Sequence, residues 1–433
     1  MDDVRKIYQN PALLIVCVLV VLTPLFRGAV HLWAETVIQM LVLTGIFLIV
    51  LKKVRSDGQS EKALKIQNRE TNRTSSGISA KNIFWYVVVP CTLLGAWTTG
   101  FSRQTGLAME GMSMLVTYLA LLFLVFEAVQ TREEQRILVG VMVGMALLLS
   151  IIGMLKRFDL LVFSWWDYSP ELGEKHGALS LSGVYVNRNH MAGFLEMVIP
   201  IFMGLFLTRS RSIEIKTGMI CLALFLIISQ VLTLSRGGWA ATTGALVFML
   251  MVLLLKKDFK QKSLLISIFM GIMVVGIIIL ASTPVVQRIV TLTQGNVEKN
   301  LTGRLTYWAG SREMIEDNLY TGTGPGTFSE AFPAYQAPGL SVLPLYAHND
   351  YLQFMADNGI FFIPLMLCLL FLFFRAGFQK LKSRSRQTMG ISLGCMASVV
   401  AILIHSFSDF NLHIPANIVL FTVITTMVLK RGI

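Results

Sequence analysis

Apolar and polar positions alternate along this chain on the scale of whole helices. Twelve stretches approach the ~20 apolar residues that carry a helix across a bilayer, where every backbone N–H and C=O has to be satisfied within its own segment. They lie near residues 11–27, 29–51, 83–101, 112–130, 137–155, 190–208, 217–234, 238–255, 263–281, 349–374, 388–405 and 414–429. Most connectors between them are short. Three are longer: 52–82, 156–189 and 282–348. The pattern predicts an all-α polytopic membrane protein in three parts. Residues 1–281 hold transmembrane helices one to nine, 282–348 form one large polar loop containing amphipathic helices, and 349–433 hold helices ten to twelve. The segment 52–82 is rich in Lys, Arg, Ser, Asn and Gln, too poor in apolar residues to bury a core, and is expected to be a mobile loop.

Composition agrees with this picture. Of the 433 residues, 54% are apolar and only 14% are charged, whereas a soluble domain carries about 25% charged residues. Twelve spans put both termini on one side, and 26 of the 37 Lys and Arg then fall on that side. Basic flanks stay cytoplasmic, so the termini and the 52–82 loop are expected inside the cell, and loops 156–189 and 282–348 outside the membrane. The net charge of +12 follows from that asymmetry and from anionic headgroups, and it calls for no nucleic acid. The five cysteines all fall in predicted spans without a CxxC pair, which suggests neither a zinc site nor a disulfide framework. The N-terminus has a charged start and an apolar run but no small-residue cleavage site, and reads as a retained helix.

The polar outer segments are where chemistry is expected. In Ser235-Arg236-Gly237-Gly238-Trp239, an arginine sits between two strongly apolar helices, a costly position unless it is paired or lines a wet cavity. The adjacent glycines let another group approach the backbone closely. In the large loop, a helix opening at Thr302 or Gly303 and running to about Asn318 would carry Arg304, Trp308 and Arg312 on one face. Lying on the membrane surface, it would present Arg304 and its own N-terminal amides to an anion, unless Arg304 pairs with Glu298 or Asp350. Glycines in TGTGPGTF at 321–328 are not followed by Gly-Lys-Ser/Thr, and no strand precedes them, so the segment reads as a turn and not a phosphate loop. The stretch 332–346, with its aromatics and prolines, reads as an irregular lid. His348, Asn349 and Asp350 stand where the chain re-enters the membrane, and the last outer loop brings His405, Asp409 and His413 to the same level. In 156–189, the Trp165-Trp166-Asp167-Tyr168 cluster suits a headgroup layer, while Lys156, Arg157 and Arg188 add positive charge.

Taken together and in this order, these residues resemble the O-antigen ligase family of bacterial integral-membrane glycosyltransferases, within the Wzy_C superfamily. That family has His, then Asn, Ser or Gln, then nine residues and Gly. Here His348-Asn349 is followed by nine residues and Gly359, although Phe362 stands where the family has Gly, Thr or Tyr. Ser235-Arg236-Gly237, the Arg304-Trp308 spacing, NRNHMAGFLEMVIP from Asn187 and HSFSDFNLHIPAN from His405 also match. The likeness spans roughly residues 180 to 420.

The resemblance implies a GT-C-like fold in the bacterial inner membrane. It also implies transfer of a glycan from undecaprenyl diphosphate to lipid A-core at the periplasmic face, with no metal, nucleotide sugar or cofactor. The residue types agree with such chemistry. A diphosphate leaving group suits two arginines, Arg236 and Arg304. An acceptor hydroxyl needs a base, and imidazole changes charge near neutral pH, which points to His348. Arg157, Arg188, Asn349, Asp350, Trp308 and Asp409 are expected around them. Paired carboxylates at a retaining geometry are not legible, so inversion is expected.

The same donor serves polysaccharide polymerases and protein O-oligosaccharyltransferases, which differ in their acceptor. A polysaccharide flippase would also accommodate twelve spans. It would be expected to show related halves, yet no repeat links 1–216 with 217–433, and the candidate residues gather at one membrane face.

Overall fold

The structure, a computed structural model, describes residues 10–57, 80–161, 180–208, 212–256, 271, 299–337 and 343–430. Its regular elements among these residues are helices. In chain order the principal helices are α1 (Pro11–Leu25), α2 (Leu32–Asp57), α3 (Phe84–Phe101, π-helical over its first turn), α4 (Thr105–Ala128), α5 (Arg132–Arg157), α6 (Arg188–Thr208), α7 (Ile213–Leu232) and α8 (Arg236–Leu255). They continue with α9 (Lys299–Asp317), α10 (Asp350–Asn358), α11 (Phe362–Lys380), α12 (Arg386–His405) and α13 (Pro415–Leu429). Among the described residues, nine helices are long and apolar enough to span a membrane, and α1 and α13 are shorter apolar helices. The predicted span 263–281 lies outside the described residues apart from Gly271, as do 58–79 of the 52–82 loop and the Trp165 to Tyr168 cluster.

Many helix starts follow from local chemistry. Asn10 caps α1 ahead of Pro11, and its side-chain amide also donates to the Ala128 carbonyl at 2.9 Å and to Glu134 at 2.7 Å. Thr131 and Glu134 form a capping box on α5. Ser235 caps α8 and Ser385 caps α12.

The predicted span 349–374 is two helices. Asn349 caps α10, whose polar residues Asp350, Gln353 and Asp357 are buried against protein. Gly359 then turns the chain with φ +68, and the membrane-length α11 begins at Phe362. A side chain at Gly359 would stand 2.9 Å from the Leu319 carbonyl, so glycine is needed for space as well as for its positive φ.

The centre of the bundle is the crossing of α6 and α12, both largely buried and making the most extensive helix contact among the described residues. Small residues bring the two backbones together. Gly204 abuts the Gly390 carbonyl, a Cβ on Gly394 would lie 2.7 Å from the Pro200 carbonyl, and the Ser398 hydroxyl donates to the Met197 carbonyl. Gly394→Val should therefore cost about 3 kcal/mol by overpacking and lower the melting temperature in detergent; an unchanged melting curve would mean that the crossing is not close-packed.

At one end of the bundle, lysine ammonium groups close the C-termini of helices, where carbonyls lack intrahelical partners. Lys256 donates to the Leu381 carbonyl, Lys380 to Met427 at 2.9 Å and Lys430 to Phe126. The opposite end is built from α9, α10 and the turns that join α1 to α2, α7 to α8 and α12 to α13.

Helix α9 is not a surface-lying amphipathic helix. Its buried residues Gly310, Ser311, Met314 and Ile315 pack into a small second core with Phe328, Phe332, Ala347 and Ala356. Arg312 does not share the face of Arg304 and Trp308: it is exposed and pairs with Glu316 at 3.0 Å. The glycines of 321–328 fasten this unit. Gly324 N donates to the Asp357 carbonyl and Gly326 N to the Asp357 carboxylate, while Pro325 lies against Gly111 of α4. Within the expected lid, Phe332–Tyr335 form a 3-10 turn with Phe332 buried, and 338–342 lie outside the described residues.

Candidate functional site

Asp409 sits in the turn between α12 and α13 and is 1% exposed. One carboxylate oxygen accepts from its neighbour Phe410 N at 2.9 Å and stands 3.6 Å from His348 Nδ1 and 4.0 Å from His190 Nε2. The other accepts from the Asn189 side chain and lies 3.7 Å from Arg304 Nη2. Burial alone would raise this carboxyl, but the His348 contact and the charges of His190, His348 and His405 hold it well below the usual carboxylate range. A buried anion at the junction of four chain segments thus gathers Arg304 from α9, His348 ahead of α10, and Asn189 and His190 from the first turn of α6.

His348 has φ +51, an unusual conformation for a residue with a side chain. Its surroundings fix it there. Asn349 turns inward to cap α10, accepting from Tyr351 N and Leu352 N. Ala347 donates its N–H to Gln353 at 3.0 Å, and its carbonyl accepts from Trp308 Nε1 at 3.1 Å. The imidazole lies nearly parallel to Tyr307 and edge-on to Phe410. Nδ1 faces the Asp409 carboxylate at 3.6 Å, just beyond hydrogen-bond distance, and a proton on that nitrogen would leave the Nε2 lone pair free. His348 and Arg304 are each 28% exposed, so both remain within reach of a substrate.

Arg236 enters the same corner through its neighbour. A Cβ on Gly237 would stand 2.6 Å from His405 Cδ2 and 2.7 Å from Ser408 Oγ, so the turn carrying Arg236 rests directly on the turn carrying Asp409. Leu234, two residues earlier, also has positive φ at +56. His405 is in turn held by Glu196 of α6, with Nδ1 to Oε2 at 2.9 Å, both side chains being buried. Arg157 ends α5 with a buried Nη1 that has no hydrogen-bond partner, and Arg188 stands one residue before Asn189.

The carboxylate partners of two candidate residues are settled by geometry. Arg304 pairs with Asp409 and not with Asp350, while Glu298 lies outside the described residues. Asp350 serves another histidine: its carboxylate takes His413 Nδ1 at 2.7 Å and accepts from Ser406 Oγ and Leu412 N. Sequence reasoning did not single out Asn189, His190, Glu196, Tyr307 or Phe410. The available signal was the row of Asn, His and Glu inside the otherwise apolar NRNHMAGFLEMVIP, since polar groups in a span are expensive unless they serve a site.

No curated protein matches the chain. Residues 221–367 match the family model described as O-antigen ligase (Wzy_C). The match starts within α7 and ends within α11, so it contains Arg236, Arg304 and His348 but neither Asp409 nor the first turn of α6. By that match about a third of the chain is similar to the O-antigen ligase family, which supports a ligase-type glycosyltransferase domain within a membrane protein.

Proposed function

We propose that the chain transfers a glycan from undecaprenyl diphosphate to lipid A-core, at the periplasmic face of the bacterial inner membrane, with both termini in the cytoplasm. The observation that carries this reading is the Asp409 junction, which unites a guanidinium suited to a diphosphate with an imidazole whose Nδ1 faces a carboxylate. The orientation is supported by the lysines that close helix ends away from the site, on the side expected to be cytoplasmic.

In this reaction the acceptor hydroxyl attacks the anomeric carbon and yields its proton to His348 Nε2. The C1–O bond to the diphosphate breaks, and the leaving group departs as undecaprenyl diphosphate with the configuration at C1 inverted. Arg236 and Arg304 bind the diphosphate and stabilise the charge that grows on it. Asp409 keeps His348 in the tautomer that accepts a proton, as the orienting carboxylate does in other carboxylate–imidazole pairs. Asn189 holds Asp409 from the far side. Neither a metal nor a cofactor enters this scheme.

Gly237→Ala offers a test of the Arg236 turn. Alanine raises helix propensity by about 1 kcal/mol, yet its methyl would collide with His405 and Ser408. Activity is expected to fall roughly 10- to 100-fold with no loss of melting temperature. Full activity would remove the Arg236 turn from the account.

The acceptor is tested with purified protein, a synthetic undecaprenyl-diphosphate glycan and lipid A-core. Decorated lipid A-core is the expected product. Chain growth from the donor alone would instead make the enzyme a polymerase, and modification of a Ser- or Thr-containing peptide would make it a protein O-oligosaccharyltransferase. Movement of the donor across a vesicle membrane without any new glycosidic bond would make it a flippase.

A further inference from the structure

Phe410 stands at the centre of an aromatic cluster between two sets of polar side chains. Edge-on to it stand His348 and His190, with ring centroids 4.9 and 4.8 Å away. Tyr346 stacks on it at 4.1 Å with an interplanar angle of 11°, and beyond Tyr346 lies His413 at 6.0 Å. His413 packs against Phe354 of α10 at 4.4 Å, and its Nδ1 is taken by Asp350. Asp357, seven residues after Asp350 and three after Phe354, shares their face of α10 and acts electrostatically on both His413 and Tyr346.

Three polar atoms in this second set have no hydrogen-bond partner among the described residues. They are the Oδ1 of Asp357, buried on a side chain only 2% exposed whose carboxyl also faces the Gly326 and Phe328 amides, and the less enclosed Nε2 of His413 and phenol of Tyr346. An unpaired buried carboxylate oxygen is costly, and native proteins rarely keep one without a ligand or water. Burial pushes the Tyr346 phenol up to about 12, with the negative charges of Glu35 and Asp357 adding to the effect, so it stays protonated and offers a donor. The set is an imidazole nitrogen, a phenol and a carboxyl that burial pushes up to about 7, on an aromatic wall. Small-molecule sites are built this way, with apolar and aromatic walls and a few convergent polar groups, and these particular groups suit the hydroxyls and the apolar ring face of a sugar.

We propose that Asp357, His413 and Tyr346 form a saccharide subsite that holds the acceptor glycan one sugar away from the hydroxyl presented to His348. This rests on the glycosyltransferase reading above. The acceptor is favoured over the donor glycan because Arg304, assigned to the diphosphate, meets Asp409 beside His348, whereas His413 is held apart from it by Asp350.

The test uses full-length protein with the synthetic undecaprenyl-diphosphate glycan and lipid A-core, comparing wild type with Asp357→Asn, His413→Gln and Tyr346→Phe. Tyr346→Phe removes one hydroxyl and keeps the stacked ring, so it reports on the subsite even where the other two variants fold poorly. The acceptor KM is expected to rise roughly tenfold in each folded variant, while the donor KM stays within about twofold. An unchanged acceptor KM in Tyr346→Phe and the other folded variants would overturn the subsite and leave water as its only occupant. A rise in donor KM alone would assign these groups to the donor glycan and overturn the acceptor assignment. Failure of the wild type to modify lipid A-core would overturn the ligase reading, and the acceptor assignment with it.

Discussion

His348→Ala protein is expected to fold, bind its donor and lose transfer by roughly 100- to 10,000-fold, the range that a positioned general base contributes. Folding should survive because the local structure does not depend on the imidazole. Asn349 caps α10, Trp308 and Gln353 hold Ala347, and Asp350 N bonds the Ser406 and Asp409 carbonyls. Alanine at φ +51 carries a backbone cost similar to that of histidine, so the change removes a side chain without relieving the turn. Donor binding should persist because Arg236 and Arg304 remain. The expected signature is a collapsed kcat with a donor KM near that of wild type. A variant with more than a tenth of wild-type kcat would require another base.

Asp409→Asn is expected to lower kcat about 100-fold or more and to destabilise the protein as well. The amide can keep some of the hydrogen bonds but not the charge that faces Arg304, His348 and His190. Leaving the half-buried Arg304 without its anion, and the Asn189 and Phe410 N–H groups with a weaker acceptor, costs about 1–3 kcal/mol.

The pH dependence separates this from a packing defect. The Asp409 carboxyl is held below its ordinary range in the folded protein, so the unfolded chain binds the proton more readily. The resulting stabilisation is present above the unfolded carboxylate value of about 4 and is lost as pH falls through the folded value. The stability gap between wild type and Asp409→Asn should therefore be full at neutral pH and close on acidification; a gap independent of pH would assign the effect to packing. For transfer, the double variant with His348→Ala should be scarcely worse than His348→Ala alone, because Asp409 acts through His348.

The spans were legible because a bilayer leaves a chain little choice: about twenty apolar residues have to be helical. Eleven of the twelve predicted spans fall on described helices, within a few residues at most ends. The misjudged span was 349–374, where apolar residues continue through Gly359 and only its positive φ reveals the break. Hydropathy does not register backbone handedness. For α9, a spacing of four residues put Arg304, Trp308 and Arg312 on one nominal face. Packing on Phe328 and Phe332 turned that face so that Arg304 meets Asp409 while Arg312 faces outward.

The candidate residues themselves were visible as charges at membrane depth, and Arg236, Arg304 and His348 do gather at one end of the bundle. What the sequence did not reveal was the hub. Asp409 was expected near the site but not as its centre, because it lies 61 residues beyond His348 and 105 beyond Arg304 in the chain and nothing local distinguishes it from His405 and His413 beside it. Asn189 and His190 were hidden for the same reason, since α6 reaches the site only through its crossing with α12.

The central claim is that His348, held by Asp409, takes the proton of an acceptor hydroxyl as a glycan leaves undecaprenyl diphosphate. Its most direct test is single-turnover transfer in nanodiscs, with saturating synthetic donor and lipid A-core in EDTA, comparing wild type with His348→Ala. Product from wild type at a rate at least about 100-fold above the variant is the predicted result. Equal rates for the two proteins would contradict it.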